Sequence, residues 1–225
     1  MRMRKKKNGA ARLAACAHLL CEKPESPIAT PATDFHREGE IHLEVGCGKG
    51  GFACGMAAQH PAVNFYAMER VNDVLMLAAE RAEREKNDRP DNLRFILGGA
   101  SELADYFAPG SLSCIYLNFS DPWPKKGYAK RRLTHRNFLR LYFTLLCEGG
   151  ELRLKTDNTG LFDFTLQELE ALGLSAYFVA RDFHNTKEAQ GNVMTEYETN
   201  FSSQGIPICS LRVKKQGELL PEQTQ

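Results

Sequence analysis

From Ile41 onward the sequence alternates short apolar segments with segments of helical hydrophobic spacing, and this alternation limits the possible folds more than any other feature. A chain of strand–helix repeats folds as a parallel sheet with helices on both faces. Right-handed crossovers then place the loops that follow the strands along one edge of that sheet. We therefore predict an α/β fold. The predicted strands are 41–45, 63–68, 93–97, 113–117, 151–155 and 175–180, with a last extended segment at 206–213. The predicted helices are 51–59, 72–86, 101–107, 136–146 and 161–172.

The chain length suits one large domain, because 225 residues with 43% hydrophobic content can bury a well-formed core. We predict a basic N-terminal arm and linker at 1–39, one α/β domain at 40–214 and a polar C-terminal tail at 215–225. A short helix is expected at 10–22 within the arm. The net charge of +1 excludes a basic field over the whole surface, so a nucleic-acid site would have to be a local patch.

Cysteine and histidine usage points away from disulfides and metals. The seven cysteines are an odd number without a Cys-x-x-Cys motif, which favours reduced thiols in a cytosolic protein. The six histidines are scattered without metal-ligand spacing, so we predict no metal site. No segment approaches the ~20 apolar residues of a membrane span. Arg12 and His18 interrupt the signal-like N-terminus. We predict a cytoplasmic protein with no membrane partner.

A glycine-rich turn follows the first predicted strand, with the sequence Glu-Val-Gly-Cys-Gly-Lys-Gly-Gly at 44–51. Glycines allow a tight turn and the close approach of a ligand to the backbone. Glu44 can face the positive amino group of a methionine moiety, and Glu69, at the end of the second strand, can accept both hydroxyls of a ribose. The pair favours S-adenosylmethionine. Gly46-x-Gly48-x-x-Gly51 also fits the dinucleotide fingerprint, so an NAD site stays open as an alternative.

A second loop, Asn-Phe-Ser-Asp-Pro-Trp-Pro-Lys-Lys at 118–126, begins where the fourth predicted strand ends. It places the carboxylate of Asp121, the chain's only tryptophan and two lysines close together in sequence. The tryptophan lies between Pro122 and Pro124, which preset the backbone of the loop. Six basic residues and no acid lie between 125 and 136. Basic and aromatic residues together favour a polynucleotide ligand. The alternatives are a rigid surface turn and a solvated charged face.

Two further polar clusters, Lys-Thr-Asp-Asn at 155–158 and Thr-Glu-Tyr-Glu at 195–198, lie in later loops. Each alone is typical of a helix cap or a turn. Polar clusters in several loops at one sheet edge favour a shared cleft.

These segments together resemble the bacterial tRNA (guanine-N7)-methyltransferase family. The resemblance covers nearly the whole chain, and the loop at 118–126 is its most specific part. The matching segments are 42–52, 116–126, 130–134, 149–151, 155–158 and 195–198.

The resemblance implies a Rossmann-like class I methyltransferase domain with a mostly parallel, seven-stranded sheet whose last strand is antiparallel. It implies methyl transfer from S-adenosylmethionine to N7 of a guanine in the variable loop of tRNA, by a monomer or a homodimer. The implied cofactor contacts are Glu44, Gly46, Gly48, Glu69, Gly99, Ala100 and Asp121, and Asp121 is the implied catalytic residue. The implied substrate contacts are Lys125, Asp157, Thr195, Tyr197 and Glu198.

The chemistry that the resemblance implies needs no general base, because N7 of guanine has a free lone pair and no proton. We therefore expect Asp121 to stabilise the positive charge that develops on the purine. Three alternatives stay open from the sequence. They are a methyltransferase that acts on another RNA base, an NAD-dependent oxidoreductase, and a tRNA-binding protein without catalysis.

Overall fold

The computed structural model describes residues 8–88, 91–217 and 219, and the seven strands form one sheet in the order β3-β2-β1-β4-β5-β7-β6. Strands β1 to β5 pair in parallel, and β7 lies antiparallel between β5 and β6. The mostly parallel sheet with an antiparallel last strand is confirmed. The strands are β1 (Ile41–Val45), β2 (Asn64–Glu69), β3 (Leu93–Leu97), β4 (Leu112–Asn118), β5 (Leu146–Thr156), β6 (Ala176–Ala180) and β7 (Cys209–Lys214).

The helices cover both faces of the sheet, and each face has its own hydrophobic core. On one face α1, α3 and α4 pack against residues such as Phe65 and Phe95. On the other face α6 and α7 pack against residues such as Leu117 and Leu152. The helices are α1 (Gly9–Ala14), α2 (Ala32–Phe35), α3 (Gly51–Gln59), α4 (Asn72–Arg84), α5 (Leu103–Tyr106), α6 (Arg136–Leu145), α7 (Thr159–Glu170) and α8 (Glu196–Ser203). No helix in the described ranges is long and apolar enough to cross a membrane.

The N-terminal segment, from residue 8 to residue 39, differs from the predicted arm and linker. Leu13 and Leu19 are buried in one core, and Ile28 is buried in the other. Cys21 donates its backbone N–H to the carbonyl of Phe95 at 2.8 Å, so the segment runs along the outer edge of β3. The described part of this segment therefore packs as part of the folded domain, because its apolar side chains are buried in both cores. The predicted helix at 10–22 shortens to α1 and a 3₁₀ turn at 17–19.

The predicted basic tip at 2–7 and most of the tail at 215–225 lie outside the described residues. Two element boundaries also differ from prediction. Strand β5 begins at Leu146 and not at the predicted residue 151, and it passes through Gly149 and Gly150 with a register shift. The last strand begins only at Cys209, after an extended approach. All seven cysteines lie in the described residues, and none of them forms a disulfide.

Candidate active site

The glycine turn between β1 and α3 contains three residues in the left-handed region that favours glycine. Gly46, Gly48 and Gly50 have φ values of 82°, 56° and 76°. A Cβ at Gly50 would lie 2.9 Å from the Cβ of Ala78, so this glycine permits the packing of α3 against α4. A Cβ at Gly46 or Gly48 would meet no described atom within 4 Å. Those two positions therefore leave open space for a ligand to approach the backbone.

Glu44 lies beside this turn with a side chain that is almost fully buried. Its Oε1 accepts a hydrogen bond of 2.9 Å from Nδ2 of Asn118, while its buried Oε2 has no hydrogen-bond partner among the described residues. Burial raises the pKa of Glu44 to about 7, although the hydrogen bond from Asn118 opposes this shift. A buried carboxylate oxygen without a partner fits the ammonium group of S-adenosylmethionine, because a cation there would supply the missing hydrogen bond.

Glu69, at the end of β2, connects the glycine turn to the start of α4. Its Oε2 accepts a hydrogen bond of 3.2 Å from the N–H of Gly48, and its Oε1 accepts one of 2.9 Å from the N–H of Val71. Each carboxylate oxygen has two lone pairs, so both can still accept a hydrogen bond from a ribose hydroxyl. Glu69 therefore fixes the shape of the turn and also faces the place where a ribose would lie.

The residues after β3 hold a short 3₁₀ turn at Ala100–Glu102. The carboxylate of Glu102 accepts a hydrogen bond of 2.9 Å from the N–H of Gly99. The carbonyl of Gly99 in turn accepts the N–H of Glu102 at 2.9 Å. Ala100 is buried. The N–H and the carbonyl of Gly99 therefore both serve the turn.

The loop between β4 and α6 has an unusual backbone. Phe119 and Trp123 have φ values of 51° and 41°, a region that costs a residue other than glycine on the order of 1–3 kcal/mol. Arg132 holds this conformation. Its Nε donates to the carbonyl of Pro122 at 2.9 Å and its Nη2 to the carbonyl of Trp123 at 3.0 Å. Its guanidinium also stacks at 4.3 Å over the ring of Phe164. Arg132 is thus a support of the loop, whereas its place in the basic run had suggested a ligand contact.

Asp121, at the tip of this loop, has an exposed side chain. Its Oδ2 lies 3.8 Å from Nη2 of Arg70, the residue that follows Glu69. Asn118, at the start of the same loop, binds Glu44. The contacts therefore place Asp121, Glu44 and Glu69 around one cleft at the edge where β1, β2 and β4 end.

A buried network joins the end of β5 to α8. Nζ of Lys155 donates to Glu198 at 2.5 Å and to the carbonyl of Val193 at 3.1 Å. The other oxygen of Glu198 accepts from His184 at 2.8 Å and from Asn192 at 2.7 Å. The side chain of Glu198 is fully buried. The expected contact of Glu198 with a guanosine therefore disagrees with the structure, because the protein itself saturates this carboxylate.

Ionisation in this network is strongly coupled. Burial raises the pKa of Glu198, but the ion pair with Lys155 and the hydrogen bonds from His184 and Asn192 outweigh it, so the pKa of Glu198 lies below its ordinary value. Burial lowers the pKa of Lys155, and the charge of Glu198 offsets only part of this change. The two charges therefore depend on each other.

Glu198→Gln should lower the free energy of unfolding by about 3 kcal/mol, because it leaves the ammonium of Lys155 buried without a counter-charge. Glu196→Gln is the matched control, since Glu196 lies in the same helical turn but is exposed and pairs with Arg81. The control should cost less than about 1 kcal/mol. Urea unfolding of both variants measures the difference, and equal losses would contradict the interpretation of the network.

The other predicted substrate residues differ in their exposure. Tyr197 is 62% exposed, and its ring stacks at 6.4 Å on Phe119 of the Asp121 loop. Thr195 is buried, and its hydroxyl caps α8 by accepting the N–H of Glu198. Lys125 is exposed, and Asp157 is half-buried directly after β5. Tyr197, Lys125 and Asp157 are therefore accessible, whereas Thr195 acts within the protein.

The basic run begins with an aromatic cluster. The guanidinium of Arg131 lies 5.1 Å from the ring of Trp123 and 4.8 Å from the ring of Tyr128. Arg131 therefore stacks on two aromatic rings while it stays exposed to solvent.

Sequence reasoning missed the roles of Asn118, His184 and Asn192. Only Asn118, which opens the Asp121 loop, carried a signal that could have revealed its role.

Comparisons with known proteins show which family the chain resembles. The family model Methyltransf_4, described as "Putative methyltransferase", matches residues 38–211. A protein of Lactococcus lactis subsp. cremoris (strain SK11) named tRNA (guanine-N(7)-)-methyltransferase is 42% identical over 215 residues, which covers 95% of this chain and 98% of the relative. A protein of the same name from Lactococcus lactis subsp. lactis (strain IL1403) has the same identity and coverage.

Solved structures share the fold at lower identity. The crystal structure of the 16S rRNA methyltransferase KamB matches with a TM-score of 0.62 and 13% identity, over 84% of this chain and 95% of that one. A structure described as an antibiotic-related methyltransferase matches with a TM-score of 0.59 and 15% identity, over 87% of this chain and 98% of that one. These two likenesses concern the fold alone. The long matches to the Lactococcus proteins show more: the chain belongs to the tRNA (guanine-N7)-methyltransferase family.

Proposed function

We infer that the protein transfers a methyl group from S-adenosylmethionine to N7 of a guanine in tRNA, in the variable loop as the resemblance implies. The observation that carries this inference is the buried carboxylate of Glu44, whose unpartnered oxygen lies beside the open glycine turn. The names of the relatives from Lactococcus support the same substrate and the same position on the base.

The cofactor site uses four residues of the glycine turn and its neighbours. Glu44 would hold the ammonium group, Glu69 would accept the ribose hydroxyls, and Gly46 and Gly48 would permit close approach to the backbone. Gly99 and Ala100 would border the adenine. S-adenosylmethionine supplies an activated methyl group on a positively charged sulfur. The protein's work is then to align the guanine, and such positioning can supply roughly 7–11 kcal/mol.

Asp121 acts on the guanine by its charge. N7 carries no proton, so the carboxylate has none to remove. Positive charge grows on the purine during transfer, and a nearby carboxylate stabilises this transition state more than the neutral ground state. The position of Asp121 at the tip of a loop that Arg132 supports agrees with this role. Arg70, which lies near Asp121 in the free protein, would have to move aside as the base enters.

The substrate contacts divide by exposure. Tyr197 offers an exposed ring on which a base can stack, and Asp157 can accept hydrogen bonds from its edge. Lys125 and Arg131 are exposed cations for backbone phosphates. Thr195 and Glu198 are proposed to act indirectly, since they fix the start of α8 and so the position of Tyr197.

One assay separates this function from its alternatives. The purified protein is incubated with labelled S-adenosylmethionine and tRNA that lacks modifications, and the modified nucleoside is then mapped. Label on 7-methylguanosine in the variable loop supports the proposal. Label on another base would instead indicate a different RNA methyltransferase. Absence of transfer would favour an oxidoreductase or a non-catalytic tRNA-binding protein.

Arg132→Lys should slow single-turnover methyl transfer by about tenfold with little change in cofactor affinity, because lysine lacks the planar guanidinium that donates from Nε and Nη2 to the two loop carbonyls and stacks over Phe164. Trp123 is the chain's only tryptophan, so its quenching by acrylamide reports directly on the loop. Quenching should increase in this variant. Lys130→Arg is the matched control, since Lys130 is an exposed cation in the same basic run, and this variant should leave the quenching unchanged. Equal quenching in Arg132→Lys and the wild type would contradict the supporting role.

The oligomeric state, monomer or homodimer, and the cytoplasmic location stay predictions. The described residues contain no group of three His, Cys, Asp or Glu side chains that could hold a metal ion. The absence of a metal cofactor likewise stays a prediction.

A further inference from the structure

The sheet has a polar region on the face that carries α3. Along β5 and β7 the residues alternate, so that Leu152 and Leu211 point into the apolar core while Arg153, Lys155 and Arg212 point to the opposite face. A largely parallel sheet normally has apolar residues on both faces. The charged residues Arg153, Lys155 and Arg212 on one face of two neighbouring interior strands therefore require another explanation than core packing.

This polar face forms the floor of a cavity of about 460 Å³. The cavity lies between β4, β5 and β7, helix α3 and the segment 183–193. Its volume falls in the range of small-molecule sites. Buried rings of Phe52, Tyr116 and Phe183 contribute apolar surface, and Arg153, Arg212 and Lys187 contribute cations. The cavity is thus built for a ligand with an apolar body and an anionic group.

The cations in the floor repel each other. Arg153 and Arg212 are direct cross-strand partners in the antiparallel pair of β5 and β7, an arrangement in which like charges are destabilising. Arg153 is paired with Glu151 at 2.8 Å. Arg212 donates only to the carbonyl of Glu188 at 3.1 Å and stacks over Phe178, and it forms no ion pair within the described ranges. Glu188 is the acid that lines the cavity. An anion between the two guanidinium groups would relieve their repulsion.

The cavity is separate from the proposed methyl-transfer cleft. Lys155 and Asn118 line the cavity and also contact residues of the methyl-transfer site, since Lys155 binds Glu198 and Asn118 binds Glu44, so the two spaces are neighbours. The residues assigned to the cofactor and to the guanosine are absent from the cavity lining.

We propose that this cavity is a second ligand site, which binds a phosphate ester of about mononucleotide size with its phosphate between Arg153 and Arg212. The apolar rings contact the base or another flat body, and Lys187 at the rim adds a third cation. The phosphate ester comes either from a nucleotide of the tRNA or from a free mononucleotide. The proposal does not depend on the transfer of a methyl group.

The test measures binding by calorimetry at constant ionic strength, with S-adenosylhomocysteine present to occupy the cofactor cleft. The probes are inorganic phosphate, 5′-GMP and tRNA. Arg212→Gln should weaken binding of phosphate and 5′-GMP by about tenfold or more, because one charged hydrogen-bonding partner is removed. Arg212→Lys keeps the charge and should retain most of the affinity. Arg84→Gln, an exposed arginine on α4 outside the cavity, is the matched control for loss of one positive charge.

The outcomes separate the two sources. A parallel loss of tRNA affinity in Arg212→Gln, with a smaller salt slope, identifies a phosphate of the bound tRNA. Unchanged tRNA affinity with lost 5′-GMP binding identifies a free nucleotide. If the wild type binds neither phosphate nor 5′-GMP more tightly than Arg212→Gln does, the proposal is wrong. Melting curves of all variants show whether each is folded.

Discussion

Asp121→Asn is expected to lower the single-turnover rate of methyl transfer by about 100- to 1000-fold, the usual effect of removing one group that stabilises transition-state charge. Asparagine keeps the size and one hydrogen-bond acceptor of the aspartate but loses the negative charge. The affinity for the cofactor should stay within about threefold, because the loop's contact with Glu44 runs through Asn118 and not through Asp121.

Rapid-quench measurement at saturating tRNA and cofactor gives the rate of the chemical step, and calorimetry with S-adenosylhomocysteine gives the affinity. Asp105→Asn is a suitable control, since Asp105 is also an exposed aspartate in a surface ion pair, with Lys23 at 2.9 Å. The control should leave both quantities unchanged. An unchanged single-turnover rate in Asp121→Asn would remove Asp121 from the mechanism.

Glu44→Gln is expected to lower cofactor affinity by about 100-fold or more while stabilising the ligand-free protein at pH 8. The carboxylate is buried and its pKa is raised from 4.5 to about 7. In the unfolded chain Glu44 ionises above about pH 4.5, whereas in the folded chain it keeps its proton up to about pH 7. The free energy of unfolding of the wild type therefore falls between these two pH values, by about 3 kcal/mol. Glutamine does not titrate, so the variant lacks this loss.

Urea unfolding at several pH values tests whether the unfolding free energy of the wild type falls as the pH rises. The difference in unfolding free energy between Glu44→Gln and the wild type should grow in favour of the variant from pH 4.5 to pH 8. Glu168→Gln should show the opposite trend. Its carboxylate is nearly buried too, but hydrogen bonds and charge from Arg136 outweigh burial and lower its pKa. That variant should be most destabilised near neutral pH, less so in acid, with unchanged cofactor affinity. A pH-independent difference for Glu44→Gln would contradict the raised pKa.

The fold was predictable because alternating strands and amphipathic helices leave few arrangements other than a parallel sheet. The bounds of β3 and α3 agree with the sequence prediction to the residue. The antiparallel direction of β7 could be predicted only from the family resemblance, since an isolated apolar segment does not indicate its direction in the sheet. The N-terminal segment was misassigned because Pro24, Pro27 and Pro31 among small residues are typical of a linker. The burial of its apolar residues depends on the edge of β3, which is distant in sequence.

The position of the glycine turn and of its two acids at the sheet edge was predictable, because the order of strands and loops alone sets it. Glu44 and Glu69 lie in the last residues of strands and Gly46 and Gly48 directly after one, so their place at the sheet edge follows from topology. The interior position of Glu198 was not predictable, because it depends on Lys155, His184 and Asn192 meeting from separate segments. The supporting role of Arg132 was hidden for the same reason. Within a run of basic residues, no sequence signal distinguishes the arginine that turns inward.

The path of the N-terminal segment along β3 also bears on self-association. An open sheet has two edge strands, and unpaired backbone groups on an edge can pair with another molecule and start aggregation. Leu20 and Cys21 cover part of the β3 edge. At the other edge β6 is short, with Tyr177 and Val179 exposed on its surface. The family match begins only at residue 38, yet a protein cut there would have two unprotected edges instead of one. The described residues before 38 therefore cover part of a sheet edge as well as contributing to the core.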